Sequence, residues 1–290
     1  MNPLRSLAVA ALLLALAGCS GGSSTPAPSR RFFAPRFMSP AAETALGPAF
    51  DDAVAVLTSV ITGPSPGLDG HEPAWADCGN IPITTHAGEV LVLVNLRPID
   101  GVGGVIALSS PCYVRSSDNL PYVGFLDVDS ADASSLAPGQ LRSVVLHELL
   151  HVMGFGTLWN QPGLPPRIEG SGTSDPSFNG SNARAAFHDF DGVGYLGTAV
   201  PVENTGAPAS REKHWRGTVF GTELMTAYLG ATSPLSRTTI ESLADLGWKV
   251  NPASADPFQI TTTNPAALMF TPALLLDVGE DALPIVPRSR

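Results

Sequence analysis

Positive charge is scarce in this chain: 16 Lys and Arg stand against 26 Asp and Glu, for a net charge of -10 over 290 residues. That balance repels phosphate backbones and argues against nucleic acid as a partner. A Gly-rich phosphate loop, a repeat period and a nucleophile-elbow serine are also missing from the sequence. Long apolar runs are few. One, residues 7–17, is too short to span a bilayer as a mature helix, and another, residues 267–276, is broken by Thr271 and Pro272 and has no assignable role. Cysteine is limited to 3 residues and histidine to 6.

The apolar run at residues 7–17 follows Arg5 and leads into Leu16-Ala17-Gly18-Cys19. It reads as a secretory signal, and its ending resembles a bacterial lipobox, with cleavage after residue 18 and lipidation of Cys19. An ordinary secretory signal with an incidental cysteine is the plainer alternative. Attached acyl chains would hold an exported protein at a membrane, and Ser20 carries no charge that would favour the inner one. The expected address is therefore the cell envelope, at the outer membrane. Residues 21–29 are a Gly/Ser/Pro tether, followed by Arg30, Arg31, Phe32, Phe33, Arg36 and Phe37, which read as further linker or as a segment resting on anionic lipid. The remaining cysteines, Cys78 and Cys112, form an even pair in an exported chain and are expected to be a disulfide, with buried free thiols as the alternative.

What is present in quantity is apolar sequence around three polar residues, in His147-Glu148-Leu149-Leu150-His151-Val152-Met153-Gly154-Phe155. Residues four apart share one helix face, so His147 and His151 can bind one zinc ion while Glu148 reaches the reacting water. Chance is a poor explanation, since with so few histidines an accidental match is expected in below roughly one sequence in a hundred. A core helix with incidentally bonded histidines is the bland alternative, but burying these groups is costly unless something satisfies them. A catalytic zinc site needs a third protein ligand and an open fourth position. Thr157 stands where the commonest metzincin pattern has that ligand, and it is not a credible one. Downstream candidates are His188, His214 and, for a gluzincin arrangement, Glu169, Glu203, Glu212 or Glu223.

The order of motifs, H-E-x-x-H-x-x-G-F, a long insertion, the pair His214-Trp215 and then Thr222-Glu223-Leu224-Met225-Thr226, resembles the leishmanolysin family of metzincin zinc endopeptidases over residues 50–248. The resemblance implies His147, His151 and His214 as zinc ligands, Glu148 as general base and Met225 as the Met-turn residue. It implies a protein or peptide substrate. On its own, Met225 reads as an ordinary core methionine.

Helical spacing of Phe50, Ala53, Val54, Leu57, Val60 and Ile61 predicts a helix over residues 51–62. Strands are expected at 90–96, 105–109 and 122–129, the zinc helix at 140–153, and a C-terminal helix starting within Ser233-Pro234-Leu235-Ser236 and running to Gly247. Residues 156–213 show no sustained period and read as an ordered insertion loop. The expected organisation is a signal at 1–18, a lipidated tether at 19–45, a peptidase domain at 46–252 and a tail at 253–290. The fold class expected is α/β: a metzincin-like zincin domain with a mixed sheet, a buried zinc helix and a C-terminal helical subdomain. Its rivals are a gluzincin-type peptidase and a non-catalytic zinc-containing surface lipoprotein.

Overall fold

The computed structural model describes residues 32–72, 78, 80–190, 199–206, 210–260 and 286–288. The signal, Cys19 and the run at 267–276 lie outside the described residues.

The chain enters through β1 (Phe33–Phe37) and α1 (Pro40–Val60). Ser39 caps α1, accepting the Ala42 N–H at 3.1 Å, and Pro40 suits the first turn because its missing N–H would have no helical partner. The helix thus begins eleven residues before its expected start, and residues 33–45 are part of the fold rather than the end of a tether. Pro48 hides this in the sequence, because an internal proline removes a helical hydrogen bond. The apolar stripe of Ala42, Leu46, Ala49, Phe50, Ala53, Leu57 and Val60 nevertheless runs straight through it, fully or almost fully buried.

A short hairpin follows, β2 (Gly70–Glu72) paired with β3 (Ile83–Thr85), and then the three main strands β4 (Val90–Arg97), β5 (Ala107–Arg115) and β6 (Pro121–Asp129). β4 lies between β1 and β6, parallel to both, whereas β5 runs antiparallel to β6, so the sheet is mixed. Side chains alternate across it. Val90, Val92, Val94, Leu126 and Val128 face the helices, while Leu93 and Val123 join Ile83, Tyr113, Tyr122, Cys78 and Cys112 in a second core on the other side. Cys78 and Cys112 form a disulfide, Cα–Cα 6.1 Å, that ties the connection between β2 and β3 to β5. Closing a loop of 34 residues constrains the unfolded chain, a contribution of about 3–4 kcal/mol.

After the single turn α2 (Ser130–Ala133), α3 (Pro138–Val152) packs beside α1 on the sheet. Gly124 permits this contact: a Cβ there would sit 2.6 Å from a methyl of Val152, so only glycine lets the end of α3 approach β6 so closely.

Beyond α3 the insertion contains three strands of two residues each, β7 (Ile168–Glu169), β8 (Ser177–Phe178) and β9 (Val200–Pro201), with α4 (Ser181–His188) between β8 and β9. These pieces are too short to show a period. α4 has no side-chain cap of its own; Asp245 supplies it from α6 (Arg237–Asp245), accepting the Asn182 and Ala183 N–H groups at 3.0 and 2.9 Å. The single turn α5 (Gly217–Phe220) precedes α6, and β10 (Val286–Arg288) pairs in parallel with the end of β5. Trp248 returns the chain to the zinc helix by donating its indole N–H to the Met153 carbonyl at 2.9 Å. Among the described residues no helix is long and apolar enough to cross a membrane.

Candidate metal centre

One helical turn separates His147 from His151 on α3, and both are fully buried. Their Nε2 atoms lie 2.9 Å apart, and the Nε2 of His214 stands 3.2 Å from each. Among the described residues this is the group of His, Cys, Asp or Glu side chains close enough to hold one metal ion. The opposite ring nitrogens are all committed. His147 Nδ1 donates to the Leu224 carbonyl at 2.7 Å, His151 Nδ1 to that of Phe155 at 2.8 Å and His214 Nδ1 to that of Ser210 at 3.0 Å. With each Nδ1 a donor, each neutral imidazole points an Nε2 lone pair at the same spot. Three converging lone pairs repel one another, so the arrangement is satisfied by a cation. The donor set and geometry fit zinc, with a fourth position left for water or substrate.

Burial keeps the three rings neutral. It holds His147 and His151 well below the usual histidine range, reinforced by the neighbouring ligands, and brings His214 from 6.5 to about 4. An unfolded chain therefore binds more protons than the folded one between those values, and stability attributable to these groups is present above about 6.5 and lost as the pH falls towards 4. His214 alone accounts for roughly 3 kcal/mol across that window. Melting curves of the metal-free protein from pH 7.5 down to 4 are expected to show this decline; a flat profile would contradict the burial of three neutral histidines.

His214 reaches the helix through backbone fit. Gly156, just past α3, adopts φ +70°, and a Cβ there would lie 2.1 Å from the Lys213 carbonyl oxygen, so the ligand-bearing segment packs directly on a glycine. Glu212 has φ +60°, unusual for a non-glycine residue, and its carboxylate accepts the Ser171 hydroxyl and the Gly172 N–H, both at 2.6 Å. Glu203 accepts the Gly217 N–H at 3.1 Å, and its own N–H donates to the His214 carbonyl at 2.8 Å. Both glutamates thus hold the segment and stand apart from the metal cluster, as does the exposed Glu169. His188 is exposed at the C-terminal end of α4, also away from it. A glutamate or His188 as third ligand is not what the structure places there.

Glu223 is the residue whose part sequence reasoning missed. It is fully buried, and desolvation raises its pKa against the hydrogen bonds that favour its charge. One oxygen accepts the Met225 N–H at 2.5 Å; the other accepts the Ser236 N–H at 3.0 Å and the Thr239 hydroxyl at 2.5 Å. Thr239 in turn receives the Trp215 indole N–H at 2.7 Å, and the Trp215 N–H donates to the Met225 carbonyl at 2.9 Å. The network fixes residues 223–226, and with them the Leu224 carbonyl that orients His147. Met225 is fully buried in this turn.

Glu148, next to His147, is also fully buried, and its carboxylate Oε2 accepts the Ser109 hydroxyl of β5 at 2.6 Å. Ser109 also escaped the sequence reading. The signal available was a polar residue on the helix-facing side of an apolar strand.

A buried helix carrying H-E-x-x-H, a third histidine brought in from a distant loop and a mixed sheet above them define a zincin-like α/β domain. The leishmanolysin family model matches residues 78–269, which spans the disulfide, the zinc helix, the insertion and the third histidine; the chain belongs to the leishmanolysin family. It is also similar to the ciliated left-right organizer metallopeptidase of Xenopus laevis, 28% identical over 123 residues. That match covers 37% of this chain and 17% of the frog protein, so the chain spans a small part of the length of that relative.

Proposed function

We propose that the protein is a zinc-dependent endopeptidase that hydrolyses peptide bonds of protein substrates, with Glu148 as general base. The observation that carries this reading is the convergence of three neutral imidazoles within 3.2 Å beside a buried glutamate, on a chain of the leishmanolysin family. His147, His151 and His214 would hold the ion. Zinc, when bound, supplies Lewis acidity that makes a water nucleophilic near neutral pH and polarises the scissile carbonyl. Glu148 takes the proton of the attacking water and returns it to the departing amine. Met225 would serve as the Met-turn residue, and by analogy with the family the substrate would bind as an extended strand in a cleft between the subdomains.

Removing zinc tests this reading directly. Dialysis against a chelator is expected to abolish cleavage of a denatured protein substrate and to lower the melting temperature, and one equivalent of zinc to restore both. Proteolysis that survives chelation would refute it.

Export to the cell envelope, with lipid on Cys19, completes the proposal. Its support is the Leu16-Ala17-Gly18-Cys19 pattern and the Cys78–Cys112 disulfide, a bond that persists in oxidising compartments. Cys19→Ser is expected to shift the protein from the detergent phase to the aqueous phase on phase partitioning. An unchanged partition would show that something other than lipid does the anchoring.

A further inference from the structure

β5 presents one side of its pleat to the zinc helix. On that face of the sheet the positions are apolar: Ala107 on β5 itself, Leu126 and Val128 on β6, and Val90, Val92 and Val94 on β4. Ser109 is the departure, 1% exposed and registered opposite Leu126. A hydroxyl at such a place costs stability unless it is bonded. Its oxygen lies 2.6 Å from the Glu148 carboxylate Oε2 and 2.9 Å from the Glu148 main-chain carbonyl, 39 residues away in sequence. The shorter contact is to the acceptor that carries charge when ionised, the stronger kind of hydrogen bond.

We infer that Ser109 is a positioning residue for the peptidase reaction: its hydroxyl clips the Glu148 side chain to the strand, so that the base is held in one rotamer beside the His cluster. A glutamate has three side-chain torsions, and without a fixed partner several rotamers compete at a buried site. The one Ser109 proton is shared between the side-chain and main-chain oxygens of the same residue, weighted towards the shorter carboxylate contact, and this bridge selects one rotamer. The bridge also registers β5 against α3, so strand and base cannot drift apart. The kinetic part of this inference rests on the peptidase reading; the contact itself does not.

Two measurements test it. In the zinc-loaded enzyme, Ser109→Ala is expected to lower kcat by about tenfold to a hundredfold while KM changes less than about twofold. Zinc content should stay at one per chain, because no ligand is touched. In the metal-free protein, urea midpoints of Ser109→Ala, Glu148→Ala and the double variant form a thermodynamic cycle. If the hydroxyl holds the carboxylate, the double variant loses clearly less than the sum of the two singles. Strictly additive midpoints would overturn the inference, and so would an unaltered kcat in an active enzyme. Should the wild type cleave nothing, the peptidase reading fails, and the cycle still decides whether Ser109 holds Glu148.

Discussion

Glu148→Gln is expected to abolish peptide hydrolysis, with a loss of at least about a hundredfold to ten-thousandfold in kcat, while zinc stays bound at one per chain. Glutamine keeps the shape of the side chain and can still accept the Ser109 hydroxyl through its amide oxygen, so the helix and the His cluster are undisturbed. What it lacks is basicity, since an amide oxygen does not take a proton from water near neutral pH. Single-turnover cleavage of a quenched peptide, with metal analysis on the same preparation, separates the two effects. Near-normal turnover in this variant would remove Glu148 from the mechanism.

His214→Ala has the larger structural consequence, because it deletes a ligand rather than a base. Two imidazoles remain, 2.9 Å apart and still oriented by the carbonyls of Leu224 and Phe155, but two nitrogens leave a metal poorly held. The variant is expected to purify with little zinc and no activity. His188→Ala is the control: this exposed residue on α4 lies outside the cluster, so zinc and turnover stay at wild-type levels. The opposite pattern, with zinc lost on changing His188 and kept on changing His214, would overturn the assignment of the third ligand. Both variants should fold, since the disulfide and the core between α1, α3 and the sheet are untouched by either.

The two variants fail in different ways because the centre is assembled from two kinds of information. His147, Glu148 and His151 are positioned by the pitch of one helix, which four-residue spacing encodes locally. His214 is positioned by a glycine contact at Gly156, a left-handed turn at Glu212 and hydrogen bonds from Glu203, none of which has a sequence period. The motif order from His147 to Met225 pointed to His214 only through resemblance to a family.

The sequence by itself determined the zinc helix, through its H-E-x-x-H spacing in an apolar run, β4 and β6, through β-formers bounded by Gly, Pro or Asn, and the C-terminal helix, through its apolar face. Of β5, expected over residues 105–109, it gives only the start, since the strand runs Ala107–Arg115 through Pro111. The tertiary structure decided the rest. It carried α1 back to Pro40 through Pro48, where a buried stripe outweighs one missing hydrogen bond. It built β7, β8 and β9 from two-residue pieces and capped α4 with Asp245 of α6, contacts that exist only once distant segments meet. It also turned Glu223, a conceivable ligand on paper, into the buried pin of the turn beneath His147, and set Ser109 against the base. Local periodicity reports which face of an element is buried; it carries no record of which polar groups will be found on the other side of that burial.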